Sequence, residues 1–145
     1  MTWWAVVRFL HVLSAALWVG GQLTVSLVVL PLARRILDEE RRGQVMRAVG
    51  RRFGMFTGAV FLPVQIGTGV AIAWRKGVTF ESLAEPGYGR ILAAKLVLFA
   101  AVMAAAALHG WATGAGRPGF ARAMAVTSLV GSVGVILLAT ALPAT

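Results

Sequence analysis

Four stretches of this chain, about residues 3–32, 53–74, 91–111 and 120–142, are each apolar and long enough to cross a bilayer. A helix needs roughly 20 apolar residues to span about 30 Å of hydrocarbon. In that solvent every backbone N–H and C=O has to be paired within its own segment, so runs of this kind are helices. Of the 145 residues 59% are apolar, and the mean hydropathy is +0.81. A small soluble globule has to cover itself with more polar surface than that. The expected fold is therefore all-α, a single integral membrane domain over residues 1–145. Short connections favour antiparallel neighbours and an up-and-down four-helix bundle. No internal repeat stands out.

Charge sets the expected orientation. Seven arginines lie between Arg34 and Arg52, with Arg117 and Arg122 beside the second short turn, against Arg8, Arg75, Lys76 and Arg90 near the opposite ends. The positive-inside rule places the arginine-rich connection in the cytoplasm and both termini outside, as in a protein of the bacterial inner membrane. The net charge of +9 then belongs to loops beside membrane lipid and its anionic headgroups. Nucleic acid is not an expected partner. Residues 34–52 combine Asp38, Glu39 and Glu40 with Ile36, Leu37, Val45, Met46 and Val49, the pattern of an amphipathic helix on the inner interface. The apolar run from Trp3 has no basic segment before it and exceeds the core of a signal peptide, so the first helix is expected to be retained.

Within the second span Pro63 lacks a backbone N–H and leaves the carbonyl of Ala59 unpaired, which predicts a kink. The fourth span is expected to stop at Pro143. Gly50, Gly54 and Gly58, and also Ser128 and Ser132, recur every four residues. Small residues at that spacing let helices approach closely in lipid, and the glycine line would serve a homo-oligomer equally well. The absence of cysteine removes disulfides, thiolate metal sites and redox dithiols.

The first span carries Arg8, His11, Ala15, Trp18 and Gln22 at intervals of three and four, which puts them on one helix face. Charged or ionisable groups in lipid cost several kcal/mol unless they face protein or a bound group. At about 1.5 Å per residue from the outer ends, Arg8 lies about 8 Å deep, His11 about 12, Gln65 about 14, Thr68 about 9 and Lys95 about 6 Å. These side chains are expected at a common level. His11 is then either a ligand or proton-transfer group, or a buried imidazole that fixes helix packing by bonding a carbonyl or Gln65. Lys95 is either an anion partner or a side chain reaching back to the headgroups. Trp18 is expected to pack, Gln22 to bond between helices, and His109, about 27 Å deep by the same arithmetic, to lie at the inner interface beyond reach of His11. The five methionines match no metal-ligand spacing, and all five carboxylates fall in loops, so hydrolytic catalysis is not expected. A cationic pocket of this kind suits an anionic ligand such as a porphyrin with propionates, or a quinone.

The segment Gly87-Tyr88-Gly89-Arg90-Ile91-Leu92-Ala93-Ala94-Lys95-Leu96-Val97-Leu98 resembles the third-helix entry of the CopD family of copper-resistance membrane proteins. His11 followed by Trp18, Gly20 and Gly21 is similar to the first-helix pattern of that family. The resemblance covers about a quarter of the chain and implies copper handling. One histidine early in the first helix with one lysine early in the third also resembles HemJ, a heme-associated protoporphyrinogen oxidase of similar compact size. That resemblance implies His11 as a heme or metal ligand and Lys95 as an anion or proton partner. Three readings follow: heme b or another tetrapyrrole bound through His11 with Arg8, Gln65 and Lys95, copper passage, or a non-catalytic membrane assembly subunit.

Overall fold

The structure, a computed structural model, describes residues 1–142. It is helical throughout, with no strand among the described residues. Four long helices account for nearly all of it: α1 (Trp3–Ile36), α2 (Glu39–Arg75), α3 (Tyr88–Gly114) and α4 (Pro118–Ala141), each long and apolar enough to cross a membrane. The chain is a multi-pass membrane protein. It divides after Lys76 into two compact units, each built on one pair of helices. The stop expected at Pro143 lies outside the described residues.

In the first unit the Thr2 hydroxyl caps α1 by accepting from the Ala5 N–H at 3.2 Å. Only Leu37 and Asp38 separate α1 from α2, and the Asp38 carboxylate accepts from the Arg41 N–H at 2.8 Å, capping α2. Once capped there, α2 meets no terminating signal before Arg75. The separate amphipathic helix expected over 34–52 is therefore not a separate element: residues 39–52 are the opening turns of α2, and no break falls before Phe53.

Both helices carry one π turn, Val25–Val29 in α1 and Thr57–Phe61 in α2. Each closes with an N–H reaching five residues back, Leu30 to Val25 and Leu62 to Thr57. In both helices a proline comes next, Pro31 or Pro63. Each wider turn lies just before a proline, whose ring presses on the preceding turn of a regular α-helix and whose missing N–H breaks its bonding pattern. The distortion expected at Pro63 thus takes the form of a π turn, with a counterpart before Pro31.

In the second unit α3 and α4 also run antiparallel. Gly131 faces Val102 and Gly134 faces Leu98, and a Cβ on Gly131 would lie 2.5 Å from the valine Cγ2. Ser128 and Ser132 are buried, the Ser132 hydroxyl donating to the Ser128 carbonyl at 2.6 Å. The line Gly50, Gly54, Gly58 makes no close approach within the chain. A Cβ added to any of the three would meet nothing within 4 Å, whereas Gly21, Gly69, Gly89, Gly131 and Gly134 stand against other parts of the chain.

Candidate functional site

The face of α1 turned toward α2 engages it at four successive levels. His11 pairs with Thr68 and Gln65, Ser14 with Gln65, Trp18 with Thr57, and Gly21 with Phe53. The partner numbers fall as the α1 numbers rise, so the helices are antiparallel. Of the predicted stripe, His11 and Trp18 make these contacts; Arg8 is exposed, and Ala15 and Gln22 are half-buried.

The polar network around His11 has a definite direction. Thr68 Oγ1 lies 2.5 Å from the Val64 carbonyl oxygen, a separation that requires a proton between the two oxygens. The hydroxyl hydrogen is therefore committed to Val64, and at 2.8 Å from His11 Nδ1 the same oxygen accepts. His11 thus carries its proton on Nδ1. On the other side Ser14 Oγ lies 2.6 Å from Gln65 Oε1, within the O–H···O range and short for an N–H donor. Ser14 Oγ also lies 3.1 Å from the His11 carbonyl; with its proton in the shorter contact to Oε1, the NH₂ of Gln65 points to His11 Nε2 at 3.3 Å. This arrangement fits a neutral imidazole with its lone pair on Nε2, 3.3 Å from the Gln65 amide nitrogen. Gly69 completes the seat, since a Cβ there would stand 3.3 Å from His11 Cε1.

Below the histidine Trp18, 2% exposed, stacks on Phe61 of the π turn with centroids 4.8 Å apart and planes within 9°. Its Nε1–H donates to Thr57 Oγ1 at 2.9 Å, and that hydroxyl donates to the Phe53 carbonyl at 2.8 Å. Gly21 leaves room for the Phe53 ring, to which an added Cβ would come within 2.6 Å. The spacing of His11, Trp18 and Gly21 is therefore the spacing of a clamp between two helices.

The structure joins His11, Gln65 and Thr68 as expected, within one unit. Lys95 belongs to the other unit, half-buried on α3. His109 donates from Nδ1 to the Ala121 carbonyl at 2.8 Å across the α3–α4 turn, near the Trp111–Phe120 edge contact and the Arg117 guanidinium over Trp111. At the start of α1, Arg75 lies over the Trp4 ring at 4.5 Å, as suits an interfacial aromatic pair. Sequence reasoning passed over Ser14, Thr57 and Gly69. Small and hydroxyl residues inside apolar helices are enriched at packing faces in lipid, but that signal does not say which helix each one bonds.

The donor set around His11 has a chemical preference. Heme iron takes a neutral imidazole nitrogen, usually one whose other N–H is held by an acceptor, and Thr68 supplies that hold. Cu(I) favours thiolate and thioether, whereas the neighbours of His11 are hydroxyls and an amide. Among the described residues no three His, Cys, Asp or Glu side chains are grouped to hold a metal ion. Thr68→Val keeps the shape but removes the acceptor for Nδ1–H. It is expected to lower stability by about 0.5–1.5 kcal/mol, the scale of hydrogen bonds between membrane helices, as read by SDS unfolding.

Comparison with known proteins adds a relative but no function. No family model matches the chain, and no solved structure matches it. It is similar to an uncharacterized protein of Aquifex aeolicus (strain VF5), 31% identical over 105 residues that cover 72% of this chain and 66% of that protein. The chain thus spans slightly less than two thirds of its relative's length.

Proposed function

We propose that this multi-pass membrane protein binds heme b or another tetrapyrrole through Nε2 of His11, with an up-and-down bundle, both termini outside, in a bacterial inner membrane. The supporting observation is the directed network: Thr68 holds Nδ1–H, which leaves the lone pair to Nε2, 3.3 Å from a glutamine amide. Gln65 would turn from the ring to leave Nε2 to iron, while Ser14 keeps the amide oriented and Thr68 keeps the imidazole from rotating. Arg8, three residues before His11 on the exposed side of α1, supplies a cation for a propionate. Electron transfer would be the chemistry of the bound iron, and the chain contributes ligation, charge and access.

Protein purified in mild detergent is expected to show a Soret band, or to acquire one from added hemin, and the band should shift on dithionite reduction. His11→Gly should lose it, and imidazole added to that variant should restore part of it, which a purely structural histidine would not allow. Colourless protein that refuses hemin ends the proposal. Stoichiometric Cu(I) on such protein would transfer the reading to copper passage, and a co-purifying membrane subunit to the assembly role.

A further inference from the structure

The far end of the first helix pair is longer than a bilayer requires. With 34 and 37 residues, α1 and α2 measure about 51 and 56 Å at ~1.5 Å per residue, against about 30 Å of hydrocarbon and 40–45 Å with headgroups. The excess has a two-sided chemistry. Gly21 meets Phe53 and the connection is Leu37–Asp38, so residues 22–36 of α1 run alongside 39–52 of α2. On α1 this stretch exposes Leu27, Val28, Leu32 and Ile36, at 68, 50, 49 and 73%. On α2 it exposes Arg41, Arg47, Arg51 and Arg52, and Arg34 and Arg35 are exposed at the end of α1. Of these only Arg41 has an ion pair among the described residues, with Asp38 at 3.7 Å.

We propose that this end anchors on anionic phospholipid. The exposed apolar side chains of α1 enter the acyl boundary, and Arg47, Arg51 and Arg52 with Arg34 and Arg35 bind the phosphate-bearing headgroups. An acidic soluble protein would account for the arginines but not for bare leucine, valine and isoleucine beside them. A lipid interface accounts for both, because it offers hydrocarbon and negative charge within a few ångströms of each other.

The chain has no cysteine, so Ile36→Cys can carry a single environment-sensitive fluorophore on the full-length protein in nanodiscs. Quenching by brominated phosphatidylglycerol is compared with quenching by brominated phosphatidylcholine. The glycerol lipid is expected to be preferred at least about fivefold, the ratio that one arginine near an anionic surface provides, with the preference shrinking as salt rises. Arg47→Gln, Arg51→Gln and Arg52→Gln together should bring it near parity while helicity by circular dichroism stays unchanged. Equal quenching by the two lipids in the unsubstituted chain overturns the proposal and leaves the arginines to a soluble acidic partner. A preference untouched by the triple substitution overturns it as well, and so does protection of the fluorophore that depends on protein concentration, which would indicate a second copy.

Discussion

Gly89→Ala is expected to cripple the second unit, lowering its stability by about 3 kcal/mol, the upper end of the usual overpacking penalty. Gly89 is buried at the start of α3, and a Cβ there would overlap the carbonyl oxygen of Ser82. That carbonyl cannot retreat cheaply. Ser82 and Thr79 bind each other reciprocally, the Ser82 hydroxyl accepting from Thr79 N–H at 2.9 Å and donating to its carbonyl at 2.8 Å, while Glu85 N–H holds the Ser82 carbonyl at 3.2 Å. Arg90 adds a bond from Nε to the Ala84 carbonyl at 3.1 Å. Just before Gly89, Gly87 stands at φ +83°, a conformation that L side chains rarely adopt. The Gly-Tyr-Gly-Arg run is therefore a device for starting a helix against a 3₁₀ turn at Ser82–Ala84. Gly110→Ala is the control: in the same helix its Cβ meets nothing within 4 Å, and stability should hold. SDS unfolding of the two variants reads the difference.

Trp18→Ala is expected to cost about 3 kcal/mol, at the low end for removal of a large aromatic from a packed core. In lipid the loss is one of packing and hydrogen bonding, since hydrocarbon outside the helices is as apolar as the interior. The indole fills the space beside the α2 π turn, stacks on Phe61 and gives Thr57 its second partner. Trp18→Phe keeps a ring against Phe61 and forfeits only the bond to Thr57, so it should cost about 1 kcal/mol or less. Equal losses in the two variants would show that the hydrogen bond, not the stacking, carries the effect.

Apolar run length was enough to read four helices, because lipid leaves the backbone no alternative. Their ends were harder. The apolar run put the start of the second span at Phe53, yet a helix that leaves the hydrocarbon keeps its own hydrogen bonds in water. Nothing between Asp38 and Arg75 stops it. Pro63 announced a distortion but not its form, since a π turn depends on neighbouring helix packing as much as on the proline. At the site, His11, Gln65 and Thr68 were legible from depth and helix face alone. Ser14 and Thr57 were not, because a hydroxyl residue in an apolar run can bond its own helix, as Thr24 does to the Gly20 carbonyl at 2.7 Å, and sequence does not separate the cases. The glycine pattern was only partly informative for a related reason: a spacing of four marks a smooth helix face without saying whether a helix of this chain or of another occupies it.

The claim on which the site depends is that Thr68 and Gln65 hold His11 as a neutral ring protonated at Nδ1, with the lone pair on Nε2 facing the Gln65 amide. Solid-state ¹⁵N spectra of histidine-labelled protein in lipid, taken on a His109→Gln variant so that one imidazole remains, measure this directly. The account predicts a protonated Nδ1 and an unprotonated Nε2 that loses its coupling to the glutamine amide in Gln65→Leu. A ring protonated at Nε2, or at both nitrogens, would contradict it.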